Sequence, residues 1–283
     1  MDDPHILRQT FTKTAEDYDA IRPGYLPELI EDIIGFSGIP EGGSILEVGC
    51  GTGQATLPFA QRGYRMLCLD IGAEMLAIAR RKLAPYPNVR FEQVAFEHWP
   101  ETAAAAAAVA ASAAVAAFDL LISATAFHWV PRDVAYVKAA RVLKPGGSLA
   151  VFSNEHPSPF TGFFIEVQQV YDRYKPKSTA GMSRHDRPLL EQKVEQERAR
   201  IEETGLFAEV TVRTYPWTQK YTTSEYLRLL NTYSDNLIME EGARRSMFQS
   251  IAELIERRYG GQVEKEYLAV LYLARTQGES SDD

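Results

Sequence analysis

The sequence predicts an α/β fold, a parallel sheet with helices on both faces, and three observations carry that expectation. Helical and strand patterns alternate over the first 155 residues, the strand patterns are short and apolar, and one of them runs into a glycine-rich turn that opens a helix. Strict alternation places the strands in parallel, and strands covered on both faces read as continuous apolar runs.

A helix is expected at 28–36, ahead of a first strand at 44–48. Further strands are expected at 66–70, 89–94, 118–125 and 148–153, with helices at 54–62, 73–83 and 132–143 between them. The last of these helices is stopped by Lys144-Pro145-Gly146-Gly147. After Ser153 the pattern changes. Residues 154–206 are rich in aromatic, charged and proline residues, 209–221 read as a strand rich in Val, Thr and Tyr, helices follow at 224–237 and 241–259, and 266–274 read as a last strand. The stretch 102–117 is mostly alanine and should be a helical insertion or an elongated crossover, without chemistry of its own. The expected division is 1–35 as an amino-terminal lid and helix, 36–155 as a core, 156–206 as a cap insertion, and 207–283 as strands and helices completing sheet and cap.

Composition limits the function. With 283 residues, 45% of them hydrophobic, the chain can bury a large core or a core plus a cap. The net charge of −8 opposes nucleic-acid phosphates unless a basic face is segregated, and no such face is evident. The densest basic region, 173–200, mixes Lys175, Lys177, Arg184, Arg187, Lys193, Arg198 and Arg200 with acids and reads as a solvated surface, or as a source of one or two contacts to an anionic substrate. No apolar run suits a membrane, and Met1-Asp2-Asp3-Pro4-His5 lacks the basic start of a signal peptide, so a cytoplasmic protein without membrane or nucleic-acid partners is expected. Cys50 and Cys68 have neither disulfide nor metal spacing and read as packing residues; no metal is expected.

The glycine loop carries the chemistry. In Glu47-Val48-Gly49-Cys50-Gly51-Thr52-Gly53, alternate glycines let bare backbone approach a ligand that any Cβ would obstruct, and Asp70 ends the next strand, where a carboxylate can hold ribose hydroxyls. Dinucleotide-dependent oxidoreductases and S-adenosylmethionine-dependent transferases share that geometry. The dinucleotide fingerprint GxGxxG needs a third glycine where this chain has Gln54, and that disfavours a dehydrogenase.

The pattern ExGxGxG from Glu47 resembles the first motif of class I S-adenosylmethionine-dependent methyltransferases. Phe118-Asp119-Leu120-Leu121-Ile122-Ser123 followed by Ala124-Thr125-Ala126-Phe127-His128-Trp129 resembles the fourth strand and motif of their small-molecule members, and Arg141-Val142-Leu143-Lys144-Pro145-Gly146-Gly147 the approach to the fifth. Phe11, Tyr18 and Arg22-Pro23-Gly24-Tyr25 are similar to the amino-terminal segment of the trans-aconitate methyltransferase-like subgroup. The resemblance covers about residues 8–155. It implies a Rossmann-like class I methyltransferase fold: a seven-stranded, mostly parallel sheet with an antiparallel last strand and a helical cap.

It also implies S-adenosylmethionine as cofactor and a set of contacts. The backbone of Gly49, Cys50, Gly51 and Gly53 would face the amino-acid part, ordered from below by Glu47; Asp70 would hold the ribose or cap the following helix. Ile71 and Met75 would flank the adenine. Many relatives carry an acid at the third-strand exit, where this chain has Ala95 and Phe96, so backbone groups there would have to recognise the base. Ser123 would lie by the fourth-strand motif, and Tyr18, Arg22 and Tyr25 could form a lid that excludes water. Methyl transfer is an in-line displacement, and positioning can supply about 7–11 kcal/mol. A carboxylate acceptor is already ionised at neutral pH, whereas a hydroxyl, ammonium or carbon acid must lose a proton, for which His128 is the candidate base, a structural histidine being the alternative. No (Asn/Asp)-Pro-Pro-Tyr motif follows the fourth strand, which lowers DNA and glutamine methylation. A small-molecule acceptor is therefore expected, with a carboxylate preferred, in a monomer or homodimer. A noncatalytic S-adenosylmethionine-binding protein is the rival.

Overall fold

The computed structural model describes residues 15–100, 118–157, 162–174 and 189–277. Phe11, the alanine-rich stretch 102–117, Lys175, Lys177, Arg184 and Arg187 lie outside them. The chain forms two compact units: Pro23–Asn154 with Val194–Tyr215 and Ala269–Asp283, and Met1–Arg22 with Glu155–Lys193 and Pro216–Leu268.

The first unit is built on a seven-stranded sheet in the order β3-β2-β1-β4-β5-β7-β6, whose last strands run antiparallel. Its strands are β1 (Ser44–Val48), β2 (Arg65–Asp70), β3 (Val89–Gln93), β4 (Phe118–Ala124), β5 (Leu143–Glu155), β6 (Phe207–Thr222) and β7 (Gln262–Thr276). β6 and β7 each give residues to both units. β1 lies between β2 and β4 with all three parallel, so that Leu46 is level with Leu67 on one side and Leu121 on the other. Ile45, Leu46, Met66, Leu67, Leu120, Leu121 and Ile122 are each buried completely, as strands covered on both faces require.

The helices of this unit are α2 (Pro27–Ser37), α3 (Thr56–Ala60), α4 (Ala73–Lys82) and α5 (Arg132–Val142). α2 has Pro27 in its first turn, where a missing N–H costs nothing, and ends on Gly38 in the left-handed conformation. α3 is shorter than the expected 54–62, because the residues before it close the glycine turn through Gly53 N–H to Cys50 O at 2.9 Å. α5 ends at Val142, just before the expected stop. Lys144-Pro145-Gly146-Gly147 is absorbed into β5 as an irregularity, the register moving from Phe118 opposite Leu143 to Leu120 opposite Ser148. Asp119 holds this end of the sheet, accepting from the Ser44 amide and hydroxyl and pairing with Lys144 at 2.7 Å.

The second unit is helical: α1 (Ala15–Ile21), α6 (Phe163–Tyr174), α8 (Thr223–Leu230), α9 (Ser234–Leu237) and α10 (Glu241–Tyr259), with α7 (Leu190–Glu203) crossing the division between units. Phe163 packs edge-on against Tyr226 and Tyr259, and Met247, Ile251 and Ile255 of α10 complete the core. A capping box between Thr222 and Glu225 starts α8. The single helix expected at 224–237 is broken, because Thr232 and Asn236 side chains take up the Leu229 and Leu230 carbonyls that would otherwise carry it on. No helix among the described residues is long and apolar enough to cross a membrane.

Candidate cofactor site

In an open parallel sheet, ligands sit at the carboxyl ends of the strands where the strand order reverses, here between β1 and β4. Both loops leaving that point are specialised. After β1, Gly49, Gly51 and Gly53 have φ of 72°, 55° and 84°. The Gly49 and Cys50 amides both donate to Leu69 O, at 2.8 and 3.0 Å, which ties the loop to the end of β2. After β4, Thr125 is held at φ 56°, a strained value for a β-branched residue, with its amide donating to Phe152 O at 2.8 Å.

The three glycines do different work. A Cβ on Gly49 would lie 2.3 Å from Ala126 Cβ, and one on Gly53 would lie 2.8 Å from Leu83 Cδ1. A Cβ on Gly51 would meet nothing within 4 Å. The protein itself excludes a side chain at Gly49, and Gly51 faces open space.

Asp70 latches the loop. Its Oδ2 accepts from the Gly51 amide and its Oδ1 from the Gly72 amide, both at 2.8 Å. Gly72, the residue before α4, has no side-chain cap, so Asp70 orders the turn ahead of that helix and does not cap it. Below the loop, Glu47 is fully buried; its Oε2 accepts from Thr56 Oγ1 at 2.7 Å and lies 3.6 Å from Cys68 Sγ. Burial pushes its carboxyl up to about 8, so it is protonated at neutral pH, and Oε1 has no hydrogen-bond partner among the described residues. Cys50 and Cys68 are buried free thiols whose ionisation burial also opposes, in keeping with packing.

The remaining expected contacts divide between the units. In the first, Met75 is buried and Ile71 half-buried after β2. Ala95 and Phe96 begin a short helix at the end of β3, and the Ala95 carbonyl is occupied by the amides of His98 and Trp99 at 3.0 Å. Ser123 donates to Val48 O at 2.7 Å and is wholly buried, so it joins β4 to β1 and presents no hydroxyl to a ligand. His128 is exposed in the short helix Phe127–Trp129, its ring centroid 4.9 Å from that of Trp129. The Tyr25 hydroxyl is 2.9 Å from Thr125 Oγ1, its ring meets Phe152 edge-on, and Asn154 holds Gly24 O at 3.1 Å, so the Gly24-Tyr25 segment is fastened to the ends of β4 and β5. Tyr18 and Arg22 belong to the second unit, where the guanidinium donates to Thr232 Oγ1 and O and lies over the rings of Tyr18 and Tyr233.

Two residues of the first unit were not singled out from the sequence. Thr125 looked like one small residue among several, and only its positive φ marks it. Lys138 is buried on α5 and donates to the Glu97 and Trp99 carbonyls, with Nζ 5.4 Å from the centre of the Phe96 ring. A lysine on the inward face of α5 was the available signal.

Residues 45–147 match the methyltransferase domain family. The matched region, residues 45–147 of 283, is a methyltransferase domain. An uncharacterized methyltransferase of Schizosaccharomyces pombe is 29% identical over 150 residues, covering 53% of this chain and 54% of that protein. A demethylmenaquinone methyltransferase of Tropheryma whipplei is 29% identical over 176 residues, 59% of this chain and 66% of that one. The chain thus spans between half and two thirds of the length of these curated relatives. A solved structure of a protein from Anaeromyxobacter dehalogenans superposes with a TM-score of 0.55 at 22% identity, over 90% of this chain and 97% of that one, and shows the shared fold. The match places the methyltransferase domain on β1 to the start of β5 and the helices between them, the part of the chain that builds the glycine loop.

Proposed function

We propose that the protein is an S-adenosylmethionine-dependent methyltransferase acting on a small molecule, with a carboxylate as the preferred acceptor. The observation that carries this reading is the open cradle at Gly51, latched by Asp70 and floored by a protonated Glu47, at the switch point of a methyltransferase domain. The residues present fit the cofactor. Gly51 leaves room that any side chain would fill, Asp70 sets a carboxylate beside it at the end of β2, and the Glu47 Oε1 has an unmet hydrogen-bonding requirement.

When bound, S-adenosylmethionine supplies an electrophilic methyl group and a neutral leaving sulfur. The chain's own part is positioning. The Gly49–Gly53 backbone and Asp70 would fix the donor end, and Met75, Ile71 and Phe96 would hold the base, with Lys138 keeping Phe96 and the 97–99 carbonyls in place. The third-strand exit offers Ala95 where an acid would bind the adenine amino group, so base recognition there falls to the backbone and to packing. Tyr25 stiffens the exit of β4 through Thr125. A carboxylate acceptor needs no base. A hydroxyl or carbon acceptor would draw on His128, whose exposed ring stands two residues beyond Ala126.

The reading is tested by titrating the purified protein with S-adenosylmethionine, S-adenosylhomocysteine and NAD, followed by a labelled-methyl assay across carboxylic acids and phenols. Adenosyl binding with methyl transfer to an acid supports it. Adenosyl binding without any product favours the noncatalytic rival, and NAD binding withdraws the assignment. The protein is expected to work as a monomer or homodimer in the cytoplasm, without nucleic acid or membrane.

A further inference from the structure

The second unit buries a basic group that the cofactor site does not use. Val263, Lys265 and Tyr267 alternate on the inward face of β7, between exposed Glu264 and Glu266, so a lysine occupies a core position in a strand pattern of period two. Its Nζ is 3.0 Å from His156 Nδ1, 3.4 Å from the centre of the Tyr267 ring and 5.7 Å from that of Phe164. Trp217 stacks on the far part of this wall, its centroid 4.6 Å from that of Tyr267. Lys265 is completely buried, whereas His156 is exposed, so the pair runs from solvent into the aromatic core.

The charge balance of this cluster is unusual. A lysine ammonium has three donors, and among the described residues no carboxylate lies within ion-pair distance of this one. Burial and then the Arg22 charge bring Lys265 down to about 6, with Glu155 a weaker opposing influence. Tyr221, Tyr233 and Tyr267, which face the same cluster, are held protonated by burial. Three basic groups therefore act on one another across an aromatic surround, and the described residues set no buried carboxylate against them.

We propose that Lys265 and His156, in the field of Arg22 and walled by Tyr267, Phe164 and Trp217, form a recognition site for the carboxylate of a small, largely apolar acid. An anion there would draw a proton onto Lys265, pair with the ammonium so formed and accept from the imidazole, and the aromatic rings would take up the apolar body. The geometry favours a carboxylate over a phosphate. Arg22 already commits Nε and Nη2 to Thr232 and so offers its charge, not a free fork for a dianion. Naming the acid as the methyl acceptor rests on the proposed function; the site itself does not.

The signature is proton uptake. At pH 7.5 most of Lys265 is neutral, and binding an anion draws a proton onto Nζ, so calorimetric titration in buffers of different ionisation enthalpy should give an uptake approaching one proton, vanishing below about pH 5. The probes are trans-cinnamate and 3-phenylpropanoate, with inorganic phosphate as the competing arm, on the full chain with S-adenosylhomocysteine present. We expect an acid to bind with uptake, Lys265→Met to lose about tenfold or more in acid affinity together with the uptake, and S-adenosylhomocysteine affinity and melting temperature to be kept. His156→Ala should weaken the acid while leaving the uptake. Failure of wild type to bind either acid, binding without uptake, unchanged affinity in Lys265→Met, or phosphate binding as tightly as the acids would each overturn the proposal. Because uptake is read on wild type, a poorly folding variant does not remove the test. An acid that binds with uptake but is never methylated supports the site and sinks only the acceptor assignment.

Discussion

Alanine at Gly49 and at Gly51 should separate what the loop does for the fold from what it does for the ligand. Both glycines have positive φ, which costs an alanine about 1–2 kcal/mol in the left-handed region. At Gly49 the new methyl would also lie 2.3 Å from Ala126 Cβ, so the turn after β4 must move by more than an ångström, an overpacking cost of about 1–3 kcal/mol. Gly49→Ala is therefore expected to lose roughly 2–5 kcal/mol in all, a fall of roughly 5–15 °C in apparent melting temperature. Gly51→Ala has only the backbone cost, a fall of roughly 2–6 °C, because nothing in the protein lies within 4 Å of its new Cβ. If that open space is where the cofactor's backbone-facing part lies, Gly51→Ala should nonetheless lose at least about tenfold in S-adenosylhomocysteine affinity. Thermal denaturation and titration calorimetry on the two variants decide it. A Gly51→Ala protein that binds like wild type would refute the assignment of that space, and equal destabilisation of the two variants would refute the steric reasoning.

Other outcomes follow from the same geometry. Asp70→Asn sets an amide donor against one of the two backbone amides the carboxylate now receives, and should lower both melting temperature and adenosyl affinity, the latter about tenfold or more. Glu47 has a folded-state value raised to about 8, so its contribution to stability is fully present below the ordinary carboxylate range and is lost as pH rises through about 8. Glu47→Gln should flatten the fall of melting temperature between pH 5 and pH 9, roughly the window that follows; an unchanged profile would show that the carboxyl ionises freely. Lys138→Met removes the donor to the Glu97 and Trp99 carbonyls and should weaken adenosyl binding with a smaller loss of stability. His128→Ala should leave turnover of a carboxylic acid within about twofold, whereas a fall of about 10²–10⁴ would assign it as the base for another acceptor.

Much of the first unit was legible because its signals are local. An apolar strand leading into glycines at alternate positions, with an acid ending the next strand, fixes a loop and a register within 27 residues of chain from Ser44 to Asp70. The roles inside the pocket were less legible. The sequence could not say that Gly49 packs on Ala126 while Gly51 faces open space, since that depends on β4, some seventy residues away. Ser123 read as a possible ligand contact and is instead consumed by the Val48 carbonyl, a pairing set by the β1–β4 register. The break at 231–233 was hidden because helix periodicity continues across it, and only the side-chain bonds of Thr232 and Asn236 end α8. Lys265 showed the same limit. Its alternation with Val263 and Tyr267 was present in the sequence, but the last strand was expected to begin only at 266, which left Lys265 outside it.

The most direct test of the central claim, that the glycine loop is an adenosyl cofactor site, is titration of wild type and Gly51→Ala with S-adenosylmethionine, S-adenosylhomocysteine and NAD. The account predicts that both adenosyl compounds bind wild type in the micromolar range, that the variant loses them while remaining folded, and that NAD does not bind. Binding of NAD, or of none of the three, would contradict it.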